Sequence, residues 1–169
     1  MINFIIVTHG EFGAYLTEAA ESIVGRQEEG VRVVAISPRV SVSEIRERIR
    51  RAIAELSSVG GLILFTDMPE GTPSNLAFPL VKDVPNAEMV TGLNLCMLVS
   101  AFSHRTDYAL PDLVRKVIAD GQKSVCDVRR RFLDRTAGKG PQSLEGGRPP
   151  LPEGAAGKAP PPSGISACR

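Results

Sequence analysis

Tryptophan is absent from this 169-residue sequence, aromatic residues make up only 5% of it, and the formal net charge is +1. A nucleic-acid surface normally carries a strong basic excess with aromatics interleaved for stacking, so that class of partner is excluded. Long apolar runs are missing too. The most apolar stretches, Phe4 to Val7 and the interrupted run Leu93 to Phe102, fall far short of the roughly 18 residues a membrane-spanning helix needs. No cationic leader precedes an apolar core, so nothing marks the chain for export. Cysteine is scarce: Cys96, Cys126 and Cys168 are odd in number and far apart, and neither a disulfide framework nor a zinc site follows from them. The expectation is a protein of the reducing cytoplasm, with Cys96 and Cys126 as small core or half-buried residues.

What is present is ordinary for a globular domain, 43% hydrophobic and 23% charged residues, and the length allows one domain with a proper core. The distribution is uneven. Thr136 to Arg169 holds 7 of the 16 glycines and 7 of the 13 prolines, and its only sizeable aliphatics are Leu144, Leu151 and Ile165. So few apolar groups do not repay the entropy of ordering the segment. Residues 1–135 therefore read as one folded domain and residues 136–169 as a disordered Gly/Pro-rich tail.

Within the folded part, apolar runs alternate with helical stripes. Ile2, Phe4, Ile5, Ile6 and Val7 form the near-continuous run of a parallel strand covered on both faces. Phe12, Tyr15, Leu16, Ala19, Ile23 and Val24 fall on one face of a helix from about Glu11 to Val24, which Gly25 stops. Val31 to Ile36 is a second strand, and Ser41-Val42-Ser43-Glu44 is a capping-box pattern that opens a helix with the stripe Ile45, Ile49, Ile53 and Leu56. Leu62 to Thr66 is a third strand, followed by a turn-rich loop and a helix with Thr72 as its N-cap and Pro73 in its first turn. Glu88 to Thr91 is a shorter fourth strand before a helix that includes Met97, Leu98 and Phe102. A last helix carries Leu113, Val114, Val117 and Ile118 and is interrupted by Gly121, and Ser124 to Leu133 reads equally as helix or edge strand. This alternation predicts an α/β fold: a doubly wound, mostly parallel sheet with helices on both faces.

Such a sheet brings the C-terminal ends of its strands to one edge, where ligands and chemistry collect. Three polar residues arrive there: His9, Asp67 and Asn94. An isolated Thr-His-Gly is commonly just a turn, its histidine bonded to backbone. Convergence with a carboxylate changes that reading. A carboxylate accepting from one imidazole nitrogen fixes the tautomer and leaves the other nitrogen's lone pair as a nucleophile. The loop from Asp67 to Asn75 adds the Thr72 hydroxyl and helix N-terminal amides, groups suited to phosphoryl oxygens.

Thr8-His9-Gly10, the Asp67–Asn75 loop, and Gly92-Leu93-Asn94-Leu95-Cys96-Met97-Leu98 stand in this order at fitting spacings. In these motifs residues 1 to about 130 resemble the enzyme IIA components of the mannose-type, sugar-specific phosphotransferase system. The resemblance implies that His9 is phosphorylated, that Asp67 orients it, and that Gly10, Gly71, Thr72 and Asn94 surround the phosphoryl group. It implies the phosphocarrier HPr as donor, a IIB component as acceptor, and no metal or other cofactor. It also implies a cytoplasmic homodimer, with an edge strand near Gln122 to Val128 exchanged between subunits, that meets the membrane only through the permease. One departure stands out: the family usually has Gly-Gly before its Ser/Thr-Pro, and here Glu70-Gly71 places a carboxylate in the phosphate loop. Transporting members often continue through a linker into a IIB domain. This sequence stops in its tail, so a separate acceptor, or no sugar route, is expected.

Two other readings compete. In one the chain is a regulatory or binding module on a flavodoxin-like sheet, with His9 unmodified or Asp67 as an aspartyl-phosphate site. A receiver-type acceptor wants an acidic pair after the first strand to hold Mg²⁺, and Thr8-His9 stands there instead. In the other it regulates through protein contacts alone. His104 reads as a solvated loop residue. Arg129-Arg130-Arg131 with Arg135 reads as a patch for a partner or, the favoured reading, as basic residues near a helix C-terminus that oppose its dipole. Met68 reads equally as a lid contact for a partner or as packing.

Overall fold

A computed structural model of the chain describes residues 1–136. The chain divides into a compact unit, Met1–Cys126, and a second one that begins at Asp127. The first alternates β1 (Asn3–His9), α1 (Phe12–Val24), β2 (Val31–Ile36), α2 (Val42–Leu56), β3 (Leu62–Thr66), α3 (Thr72–Val81), β4 (Ala87–Thr91) and α4 (Leu95–His104), and closes with α5 (Leu110–Lys123). The strands form one four-stranded parallel sheet in the order β2-β1-β3-β4. None of the helices described is long and apolar enough to cross a membrane.

Period-two alternation sorts the central strands onto two cores. Phe4, Ile6, Ile63 and Phe65 face Met97, Leu98, Ala101, Leu113 and Val117, from α4 and α5, together with Ala20 of α1. Ile5, Val7, Leu62 and Leu64 face Ile45, Ile49 and Ile53 of α2 and Leu76, Ala77 and Val81 of α3. With both faces covered, β1 and β3 need the near-continuous apolar runs seen in the sequence.

Several elements differ from the sequence reading. Strand β1 runs two residues beyond Val7, so that His9 is its last residue, paired with Ile36. The N-cap of α3 is Gly71 and not Thr72: Gly71 is extended and its carbonyl accepts from Asn75 N at 2.9 Å. Ser41 caps α2 as expected, through Glu44 N at 3.2 Å, but the Glu44 carboxylate pairs with Arg48 one turn on. Gly121 does not interrupt α5. It is buried where a Cβ would lie 2.4 Å from Met97 Cγ, so glycine is what lets α5 approach α4.

The edge strand anticipated at Gln122 to Val128 is not formed in this single chain. Gln122 and Lys123 complete α5, and Val128 begins α6 (Val128–Thr136). Helical hydrogen bonds satisfy the end of α5, with Ser124 N donating to Asp120 O at 3.1 Å. Within the second unit, Asp127 Oδ1 accepts from Arg130 N at 3.1 Å. Arg129, Arg130 and Arg131 therefore occupy the first turn of α6, so the basic-C-terminus explanation fails. Cys96 and Cys126 are exposed. Cys96 faces outward from α4 while Met97 and Leu98 take the core, and Cys126 lies between α5 and α6. The anticipated tail, apart from Thr136, lies outside the described residues.

The entry into α1 is tightly built. Thr8, fully buried, accepts through Oγ1 from Gly13 N at 2.8 Å, and Thr17 Oγ1 donates to Gly13 O at 2.7 Å. A Cβ on Gly13 would lie 2.8 Å from both Ile6 Cγ2 and Thr8 Oγ1. Gly13→Ala is accordingly expected to cost about 1–3 kcal/mol, the usual penalty of overpacking a filled core. Urea unfolding checks this, and an unchanged midpoint would show that α1 shifts freely.

Candidate functional site

Strand order places the site. The chain leaves β1 for β2 on one side and returns on the other side of β1 with β3, so the connections after β1 and β3 diverge between these two strands. Val7 pairs with Thr66, which puts His9 and Asp67 just past the end of the ladder, side by side. Asp67 then continues the ladder with its side chain. Its Oδ2 accepts from His9 N at 2.8 Å and bonds His9 Nδ1 at 2.8 Å, while Oδ1 accepts from Met68 N at 2.9 Å.

These contacts set the charges. Burial is the largest influence on the Asp67 carboxyl and pushes its pKa up. The backbone and ring hydrogen bonds from His9, the attraction to that ring and the Met68 N–H outweigh it together, so the pKa lies below the ordinary carboxylate value. Asp67 is thus an anion at neutral pH and only an acceptor. His9 Nδ1 must be the donor, and the lone pair of a neutral imidazole then resides on Nε2. The side chain of His9 is 47% exposed and that of Asp67 13%, an open ring on a covered carboxylate.

The loop after Asp67 wraps this pair. Gly71 lies against the imidazole: a Cβ there would lie 3.3 Å from His9 Cε1 and 2.8 Å from Met68 Cγ. The exposed Met68 side chain therefore packs over Gly71. Glu70 adopts φ +60°, the left-handed region that favours glycine. Thr72, exposed at the start of α3, has a hydroxyl with no hydrogen-bond partner among the described residues. No side chain caps α3, so its first-turn amides have no side-chain acceptor.

His9, Asp67 and Gly71 are thus brought into contact, with Thr72 next in line. Two of the anticipated residues also shape the backbone around the site. Gly10 turns the chain at φ +52°, and its N–H donates to Ile36 O at 2.8 Å. Asn94 caps α4, its Oδ1 accepting from Met97 N at 3.1 Å. His104 ends the helix that Asn94 caps, about 15 Å away at 1.5 Å per residue. It packs edge-on against Tyr108 with ring centroids 5.4 Å apart.

Ser74 escaped the sequence reading. It is buried, donates to Met68 O at 2.7 Å, and lies 2.8 Å from Thr66 Oγ1. The one Ser74 proton is committed to the carbonyl, so Thr66 is the donor between the two hydroxyls. Asn75 Nδ2 holds Glu70 O at 3.0 Å, which ties the loop to α3 at a second point.

The family model described as PTS system fructose IIA component, EIIA-man, matches residues 3–118. The chain belongs to the EIIA-man family. It is 27% identical to the PTS system mannose-specific EIIAB component of Escherichia coli (strain K12) over 161 residues, 95% of this chain and 46% of that protein. It is 28% identical to the PTS system fructose-specific EIIA component of Bacillus subtilis (strain 168) over 124 residues, 73% of this chain and 84% of that one. The crystal structure of phosphotransferase system component EIIA from Streptococcus agalactiae matches with a TM-score of 0.69 at 30% identity, over 77% of this chain and 99% of that one. This EIIA-man chain spans about half the length of the mannose-specific EIIAB relatives it matches.

Proposed function

We propose that this EIIA-man chain is a phosphohistidine carrier of a sugar phosphotransferase system. His9 Nε2 takes a phosphoryl group from phospho-HPr and delivers it to a histidine of a IIB component or holds it as a regulatory signal. One observation carries the reading: the Asp67 anion occupies Nδ1 of an imidazole whose side chain is about half exposed, 47%, and whose Nε2 has no hydrogen-bond partner among the described residues. In the forward step the donor's P–N bond breaks as the Nε2–P bond forms. The donor imidazole recovers its electron pair, and the Nδ1 proton of His9 stays in its bond to Asp67. Bond made and bond broken are alike, so the protein needs in-line positioning and charge screening more than chemical power. Gly71 leaves room beside the ring, and the Thr72 hydroxyl and the first-turn amides of α3 are donors for the phosphoryl oxygens.

The test is incubation with enzyme I, HPr and phosphoenolpyruvate. Acid-labile, base-stable label is expected on the wild type and on His104→Ala, and none on His9→Ala. Label that survives in His9→Ala, or that hydroxylamine cleaves as it does an acyl phosphate, would overturn the assignment.

Glu70 gives this carrier a distinctive expectation. At a separation of about 6 Å, two unit charges repel by roughly 0.7 kcal/mol even at the dielectric of water, about a threefold change in equilibrium. Glu70→Gly is therefore expected to be severalfold more phosphorylated at equilibrium with HPr at low salt, with the gap narrowing as salt screens the loop. Equal phosphorylation at low salt would show that the carboxylate turns away from the site. A less phosphorylated variant would show that Glu70 recruits the donor.

A further inference from the structure

Deepening the phosphoryl-transfer reading of the same site, we infer that Ser74 is a positioning residue that sets the tautomer of His9 from α3. The chain of contacts is continuous. Ser74 Oγ donates to Met68 O at 2.7 Å, Met68 N donates to Asp67 Oδ1 at 2.9 Å, and Asp67 Oδ2 holds both His9 N and His9 Nδ1 at 2.8 Å. Met68 is thus fixed on both sides, its amide by the carboxylate and its carbonyl by the hydroxyl. Otherwise the residue is exposed, in a turn without regular structure between β3 and α3. With Ser74 removed, the Met68 carbonyl is released and the Met68 N–H is free to swing off Oδ1. The carboxylate then gains rotational freedom relative to the imidazole, and Nδ1–H and Nε2–H forms of the ring mix. A mixed ring offers its Nε2 lone pair only part of the time.

A purely structural role for Ser74 makes a different forecast, and Thr66 separates the two. Thr66→Val removes the other hydrogen bond of the same buried hydroxyl pair but leaves the Ser74 bond to Met68 O in place. The experiment records histidine ¹⁵N shifts above the imidazole pKa for the full chain as wild type, Ser74→Ala, Ser74→Cys and Thr66→Val, together with the rate of phosphorylation by phospho-HPr. The thiol of Ser74→Cys is a weak donor of similar size and gives a second variant with the same expected direction should Ser74→Ala fail to fold. Wild type and Thr66→Val are expected to show one Nδ1–H tautomer at His9 and similar rates. The Ser74 variants are expected to show a mixture, and a rate lower by about tenfold. A wild-type tautomer in the Ser74 variants, or the same loss in Thr66→Val, overturns the inference. The tautomer is read without any phosphoryl donor, so failure of the wild type to take phosphate would sink the carrier reading alone.

Discussion

Arg105→Leu is expected to destabilise the domain by about 3–5 kcal/mol. For a unit of this size that is a fall of about 10–20 °C in the unfolding midpoint. Arg105 follows α4 and is buried at the edge of the sheet away from His9. Its guanidinium donates to Ile2 O, Glu29 O and Gly30 O and to the side-chain oxygens of Gln27 and Asn3, at 3.0–3.4 Å. It also lies over the Phe4 ring, 5.0 Å from its centroid. Burial draws the Arg105 pKa below its ordinary value, an effect that the charge of Glu29 only partly offsets. Leucine fills much of the volume but leaves these acceptors facing apolar atoms, and an unmade hydrogen bond in the interior costs more than a made one contributes. Lysine keeps the charge with fewer donors and no planar fork, so Arg105→Lys falls between the two. Denaturant unfolding decides it: a loss below about 1 kcal/mol for Arg105→Leu would mean that water reaches these carbonyls.

Asp67→Asn is expected to slow phosphorylation by about 100-fold while the fold persists. The carboxylate accepts three N–H donors on two oxygens, and a carboxamide has only one acceptor atom. If the amide oxygen faces His9, the NH₂ group is set against Met68 N–H. If it faces Met68, the NH₂ meets His9 N–H and donates to Nδ1, which moves the ring proton to Nε2 and removes the nucleophile. Acid stability provides a second reading. The folded pKa of Asp67 is depressed, so its contribution is complete above the unfolded carboxylate value and is lost as pH falls through the lower folded value. Asp67→Asn should flatten that part of the acid limb. Wild-type rates in this variant would remove Asp67 from the mechanism.

The sheet was legible because burial on both faces demands apolar runs, and Phe4 to Val7 and Leu62 to Phe65 have no other use. His9 and Asp67 were legible for the opposite reason: each is a polar residue directly after such a run, and parallel strands send both to one edge. Asn94 showed the same placement, and its Oδ1 also accepts from Met97 N, a cap that a position at a strand's end does not reveal. Ser74 and Arg105 were illegible since their partners are mostly backbone carbonyls, which every residue has and no sequence pattern marks. Gly121 looked like a stop because glycine weakens helices, and here close contact with Met97 overrides propensity. The Gln122 to Val128 strand rested on the family resemblance, and Gln122 and Lys123 instead continue the α5 helix.

The most direct test of the site is the identity of the phosphorylated nitrogen. Phosphorylated protein, examined by ³¹P and ¹H–¹⁵N NMR at alkaline pH, distinguishes phosphate on Nε2 from phosphate on Nδ1. Asp67 holds Nδ1 from 2.8 Å, so the phosphoryl group is expected on Nε2 of His9 alone. Phosphate on Nδ1, or on any residue other than His9, would contradict the role assigned to the His9–Asp67 pair.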